Sequence, residues 1–205
     1  MSRANVAGSS ALSRRYRMRR RAELVDETRL RITEAAMRLH TTVGPSKASM
    51  SAVAEEAGVT RLTLYRHFPS MDELFGACMG HWRWLHPIPD PLAWTQIEGF
   101  EPRVRRALTE QYAWYQVNSQ DLYPIYRDAA HTPASNRAAR RASNDRMVDA
   151  LLAGSRVRGP VRRRLRAALG HVVGFWTWRS LSVDGGLSAR AAVDLATRFV
   201  MAAVS

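Results

Sequence analysis

The chain is predicted to be all-α, with an N-terminal three-helix helix-turn-helix domain followed by a larger C-terminal helical domain. Apolar residues recur at helical spacing from Asp26 to the end of the 205 residues, and no run alternates in the manner of a strand. Ser49 to Phe68, reading SMSAVAEEAGVTRLTLYRHF, spells two short helices joined by a glycine-containing turn. Pro87, Pro89 and Pro91 then interrupt the helical pattern and mark a boundary. The expected division is a basic, disordered arm over 1–25, the helix-turn-helix domain over 26–86, and the second helical domain over 87–205.

The formal net charge of +13 is unevenly placed. Residues 1–25 hold seven arginines against one glutamate, residues 26–86 are balanced, and residues 87–205 hold seventeen arginines against ten acids. Long-range attraction to a polyanion therefore falls on the arm cluster Arg14, Arg15, Arg17, Arg19, Arg20 and Arg21. This cluster either follows a nucleic-acid backbone or enters a minor groove, or else it is a solvated tail. The chain has thirty arginines and one lysine, a compositional bias. The later runs Arg140-Arg141 and Arg162 to Arg166 either meet acidic effectors or a second nucleic-acid surface or, as that bias favours, are solvated helix faces.

Ile32, Ala35, Ala36, Leu39 and Val43 place a first helix from near Asp26, ended by Gly44-Pro45. Ser49 caps a second helix whose small apolar face is Ala52, Val53 and Ala57. Gly58 permits the tight turn, Val59 fills the angle, and Thr60 caps the third helix. Leu64 and Phe68 point to the core. Arg61, Leu62, Thr63, Tyr65, Arg66 and His67 are left around the remaining surface of the third helix, where side chains can meet double-stranded DNA. Arg61 offers a guanidinium fork to a base edge and Thr63 a direct contact, while Ser49 and Thr60 stand at helix ends near phosphate. Leu62 either presses on a thymine methyl or turns toward the core. Ser70 to Glu73 forms a capping box that opens a fourth helix through Leu74, Phe75, Cys78, Trp82 and Leu85. A tilt of that helix moves the reading pair packed against it.

In the second domain the pattern predicts helices over 101–118, 121–130, 134–153, 160–183 and 188–204, the last capped by Ser188. Leu165, Leu169, Val172, Val173 and Trp176 form one apolar stripe, and Val193, Ala196, Phe199, Val200 and Ala203 another. These last two helices either pair with their copies in a homodimer or pack internally. Tyr112, Trp114, Tyr115, Tyr126, Phe175 and Trp176 are either ordinary core or the wall of a pocket for an apolar or aromatic small-molecule effector. Arg127, His131 and His171 are candidates to orient a polar end of such a ligand.

A lone Cys78 cannot form an intramolecular disulfide and is expected to pack in the fourth helix. No stretch of roughly 18 uninterrupted apolar residues predicts a membrane span, and the expected location is cytoplasmic. The six histidines are scattered, without metal-ligand spacing or a nucleophile partner. No catalytic residue, metal or cofactor is expected.

From about Thr28 to Leu85 the chain resembles the DNA-binding domain of TetR-type bacterial transcriptional regulators, through AEEAGVTRLTLYRHF followed by PSMDELF. The resemblance implies that Tyr65 and His67 bind phosphate, the other reading being packing at the reader surface. It also implies dimerisation through the last two helices and small-molecule sensing in the second domain. Leu62 stands where many relatives have a small residue, and no lysine follows near Ser70 or Met71. The expected function is a homodimeric, ligand-responsive repressor of a palindromic operator. The alternative is a helical ligand-binding or protein-interaction module that has lost specific DNA binding.

Overall fold

The computed structural model describes the backbone of residues 4–204, with the side chain of Arg20 and those from Glu23 onward. Ten α-helices follow one another among the described residues, and no strand is present there.

Helix α1 spans Ala4–Thr42. The basic N-terminal segment is thus helical backbone continuous with the first helix, where the sequence reading placed a disordered arm and a start near Asp26. The side chains of Arg14, Arg15, Arg17, Arg19 and Arg21 lie outside the described residues, while Arg20 is exposed. The far end of α1 carries the packing: Ile32, Ala35, Ala36 and His40 are buried. Gly44, at φ +94°, turns the chain out of the helix and donates its N–H to Leu39 O at 3.0 Å.

Helices α2 (Met50–Glu56), α3 (Arg61–His67) and α4 (Met71–Leu85) complete the first unit. Their starts are set by side-chain caps at the expected positions. Ser49 accepts from the Ala52 amide at 3.2 Å, Thr60 from Thr63 at 3.1 Å and Ser70 from Glu73 at 3.2 Å. Gly58, at φ +63°, makes the α2–α3 turn, closed by Val59 N–H to Ala54 O at 2.9 Å. Val53, Leu64, Phe68, Leu74, Phe75 and Cys78 meet Ile32 and Ala36 in the core between them.

The proline stretch leads into the one-turn helix α5 (Pro91–Trp94), whose Trp94 is buried and donates to Glu110 at 2.7 Å. Then comes α6 (Phe100–Arg127), a single helix where two were expected. Nothing between Asn118 and Asp121 forces a break: no glycine or proline stands there, and the Asn118 amide folds back onto Trp114 O at 2.8 Å. Pro124 lies inside this helix.

Helix α7 (Ala134–Leu151) and helix α8 (Gly159–Val172) form the next pair. The expected helix over 160–183 is divided at Gly174 into α8 and the short α9 (Phe175–Arg179), followed by a π-turn over Ser180–Asp184. The carbonyls at the break are taken up by side chains. Tyr112 of α6 donates to Val172 O at 2.9 Å, Tyr115 to Val173 O at 3.0 Å, and Thr177 to His171 O at 2.6 Å. Helix α10 (Ala189–Ala202), capped by Ser188, packs chiefly along α6.

The apolar stripes of α8 and α10 serve this internal core: Leu165, Leu169, Val172, Val173, Val193, Ala196 and Val200 are all buried within the chain. Trp176 and Phe199, from the same expected stripes, are exposed, as is Leu195. No helix among the described residues is long and apolar enough to cross a membrane.

Candidate DNA-reading surface and effector cavity

Helix α3 is only two turns long, so propensity alone would not hold it. It is held by the Thr60 cap, by burial of Leu64 and Phe68, and by Arg29 of α1. The Arg29 guanidinium lies 4.0 Å from the Phe68 ring centre and donates to the His67 carbonyl at the C-terminal end of the helix.

The opposite side of α3 presents Arg61, Leu62, Tyr65 and Arg66 to solvent, with Thr63 half-buried and hydrogen-bonded to the Thr60 hydroxyl at 3.0 Å. Leu62 is 81% exposed, so of its two readings the core one is excluded. His67 differs from its neighbours: it is only 9% exposed and packs with the core side of the helix. Burial, helped by Arg66 and Arg29, lowers its pKa, which favours a neutral ring. That is the packing reading of His67, not the phosphate-facing one. Ser49 is exposed, and its hydroxyl is occupied as a cap.

Helix α4 belongs to two environments. Leu74, Phe75 and Cys78 belong to the core that α4 shares with α1, Phe75 and Cys78 lying against His40, and further on Met79, Trp82 and Arg83 line a cavity of about 70 Å³ in the second domain. Trp82 crosses between them, donating its indole N–H to Asp121 of α6 at 2.9 Å and meeting Trp114 edge-on with centroids 5.8 Å apart. Trp114, Tyr115 and Tyr126 of α6 and Arg140, Asn144 and Met147 of α7 complete much of the wall.

A wider cleft of about 520 Å³ adjoins it, sharing Tyr126, Arg140 and Asn144 and lined further by His171, Phe175 and Trp176. Of the six aromatics named from sequence, five line these two cavities. Tyr112 does not: its hydroxyl serves the broken end of α8, and its ring borders a separate groove against α10. Tyr115 combines both roles, since its ring faces the inner cavity while its hydroxyl is committed to Val173 O.

Arg127 is engaged elsewhere, paired with Asp128, and His131 is exposed and lines neither cavity. Arg140, read from sequence as a solvated face, instead lays its guanidinium 4.8 Å from the Tyr126 ring centre and lines both cavities. Gln111 also escaped the sequence reading. It is a buried polar residue four positions before Tyr115 on the inner face of α6, and that placement is the signal that would have exposed it.

Among the described residues no cluster of three or more His, Cys, Asp or Glu is arranged to hold a metal ion. Cys78 is buried, with its pKa pushed up to about 12 by burial. Its sulfur lies 3.2 Å from His40 Nδ1, and its thiol donates to Phe75 O at 3.3 Å.

Residues 32–78 match the family model described as "Bacterial regulatory proteins, tetR family". Over 76 residues the chain is 40% identical to the HTH-type transcriptional regulator TtgR and, equally, to the probable HTH-type transcriptional regulator ArpR, both of Pseudomonas putida. Each match covers 37% of this chain and 35% of the relative's length.

Solved structures share the fold across most of the chain. A TetR-like transcriptional regulator from Rhodococcus sp. RHA1 superposes with a TM-score of 0.54 at 23% identity, covering 85% of this chain and 93% of the other. A Clostridium perfringens putative fatty acid metabolism regulator gives 0.56 at 17% identity, covering 85% and 98%. The multidrug binding protein EbrR, solved with imidazole, gives 0.52 at 24% identity, covering 83% and 93%. The capped helix-turn-helix under a helical second domain thus has the fold of TetR-like regulators, and its residues 32–78 match the tetR family model.

Proposed function

We propose that the chain is a homodimeric, ligand-responsive transcriptional repressor that inserts α3 into successive major grooves of a palindromic operator. The reading surface is assigned to Arg61, Leu62, Thr63, Tyr65 and Arg66. Arg61 pairs with a guanine edge, Leu62 contacts a thymine methyl, Tyr65 and Arg66 meet phosphate, and Ser49 and Thr60 bring helix N-termini toward the backbone. The basic segment before residue 22 adds sequence-independent attraction.

The observation that carries the regulatory part is the dual burial of α4. One helix packs Phe75 and Cys78 against α1, the helix whose Arg29 also holds the end of α3, and gives Met79, Trp82 and Arg83 to the cavity. A ligand that fits the cavity better at one tilt of α4 shifts the spacing of two readers by its differential affinity, typically about 1–3 kcal/mol. The exposed Leu195, Phe199 and Trp176 beside the α8–α10 pair supply apolar surface for a two-fold contact, since the inner stripes are already occupied.

The test is binding of the full chain to a fluorescent duplex from its own upstream region, with random duplex as competitor and a salt titration. Tight, competitor-resistant binding supports the reading. Binding that random DNA abolishes at every salt concentration favours a module without specific DNA recognition.

A further inference from the structure

The inner cavity contains polar atoms that the fold does not satisfy. Gln111 Oε1, Trp114 Nε1 and Arg140 Nη1 all line it or belong to side chains that do, all three are shielded from solvent, and none has a hydrogen-bond partner. Gln111 is 1% exposed. Leaving such groups unpaired costs about 1–3 kcal/mol each and more for a charge, so a pocket that keeps them is poised for a ligand that completes them.

The charges agree. Arg140 and Arg83 are the charged side chains on the inner wall, no carboxylate lines either cavity, and Arg140 has no ion-pair partner among the described residues. Arg83 is exposed at the rim, which leaves Arg140, half-buried with its Nη1 shielded, to neutralise one negative charge. About half of the remaining wall is aromatic or thioether, Trp82, Trp114, Tyr126, Met79 and Met147 among it, and the rest is aliphatic or neutral polar.

From this geometry we infer that the cavity and the cleft adjoining it, which share Tyr126, Arg140 and Asn144, together bind a small monoanionic aromatic acid bearing a hydroxyl group. The carboxylate accepts from Arg140 Nη1 and Trp114 Nε1, the hydroxyl donates to Gln111 Oε1, and the ring lies among Trp82, Trp114 and Tyr126. A dianion such as phosphate is disfavoured by the single shielded cation, and an aliphatic acid forgoes the ring contacts. This inference rests on the ligand-responsive reading for its purpose but not for its test.

The experiment is calorimetric titration of the full chain with salicylate, benzoate and salicylamide. Salicylate is expected to bind at least about tenfold more tightly than the neutral amide, the difference expected for a charge-assisted bond. Arg140→Gln should erase that difference and Arg140→Lys keep part of it. Gln111→Leu should erase the preference for salicylate over benzoate while leaving benzoate binding.

Equal affinity for acid and amide, an undiminished acid preference in Arg140→Gln, or no binding of either acid at millimolar concentration overturns the assignment. If Arg140→Gln loses its helical circular dichroism, the wild-type comparison of salicylate with salicylamide decides. Adding the operator duplex separates the two ideas. Salicylate that binds without altering operator affinity upholds the site and removes the ligand-responsive reading, whereas operator release by other ligands with no acid preference does the reverse.

Discussion

Asp128, at the end of α6, accepts two hydrogen bonds from Ser46 in the loop between α1 and α2, from the amide at 3.1 Å and from the hydroxyl at 2.5 Å. Arg127 clasps the same carboxylate and donates to Val43 O at 2.9 Å. The end of α6 thus grips the loop between α1 and α2, a tie between the two parts of the chain separate from the packing of α4. Gly44 makes the approach possible, because a Cβ there would collide with the Asp128 carboxylate and the Arg127 guanidinium.

Asp128→Ala should lower stability by about 2–3 kcal/mol, the cost of stranding several bonds to one partly buried charge. Gly44→Ala should do at least as much, adding backbone strain to the loss of the clasp. Denaturant titration checks both. Pairing with Arg127 and the Ser46 bonds hold the Asp128 carboxyl well below the usual carboxylate range. Its contribution is therefore complete above roughly pH 4 and is lost as the pH falls below that. The wild-type and Asp128→Asn stability curves should converge in acid; parallel curves would refute this.

Arg61→Ala and Leu62→Ala should separate recognition from folding. Both side chains are exposed, so thermal unfolding should shift by no more than about 0.5 kcal/mol. Arg61→Ala should cost about 1–3 kcal/mol on the operator and relax specificity at one base pair. Equal losses on operator and random duplex would reassign Arg61 to the backbone.

Removing residues 1–21 should weaken binding to all duplexes alike and flatten the dependence of affinity on salt, because it deletes arginines without touching α3. Competition between operator and random duplex should keep its ratio. A change in that ratio would place the segment in a groove.

His40 and Cys78 should make the reader's core sensitive to acid and indifferent to thiol reagents. Burial lowers His40 to about 4, so the ring is neutral in the folded protein at pH 7. A depressed histidine pKa means that stability is full above the unfolded value near 6.5 and falls as the pH drops toward 4, by about 3 kcal/mol in total. His40→Leu should remove that slope from the urea midpoint. Cys78 should react with a disulfide reagent only at the rate of unfolding; rapid native-state labelling would contradict its burial.

The reader was legible residue by residue, because caps and turns are local chemistry. Ser49, Thr60, Ser70 and Ser188 each hold the amide expected of them, and Gly58 turns where its position requires. The second domain was legible as helices but not in its joints. The break at Gly174 depends on tyrosines sixty residues away in sequence, and the continuity of α6 on the absence of any breaker after Asn118. Arg140 looked like surface because it sits in an arginine-rich run, and only the fold brings Tyr126 beneath it. His67 looked like its exposed neighbours, yet the two turns of α3 rotate it to the core side with Leu64.

The two tyrosine bonds at the end of α8 also decide where the molecule can give way. Sliding α8 along α6 would strip Val172 and Val173 of hydroxyl donors in a buried setting, whereas Tyr126 meets α7 through the Arg140 guanidinium over its ring and not by a hydroxyl bond to backbone. On the proposed ligand-responsive reading, the α8 side of the cleft is thus the stiffer wall, and a guest would displace the α7 side first.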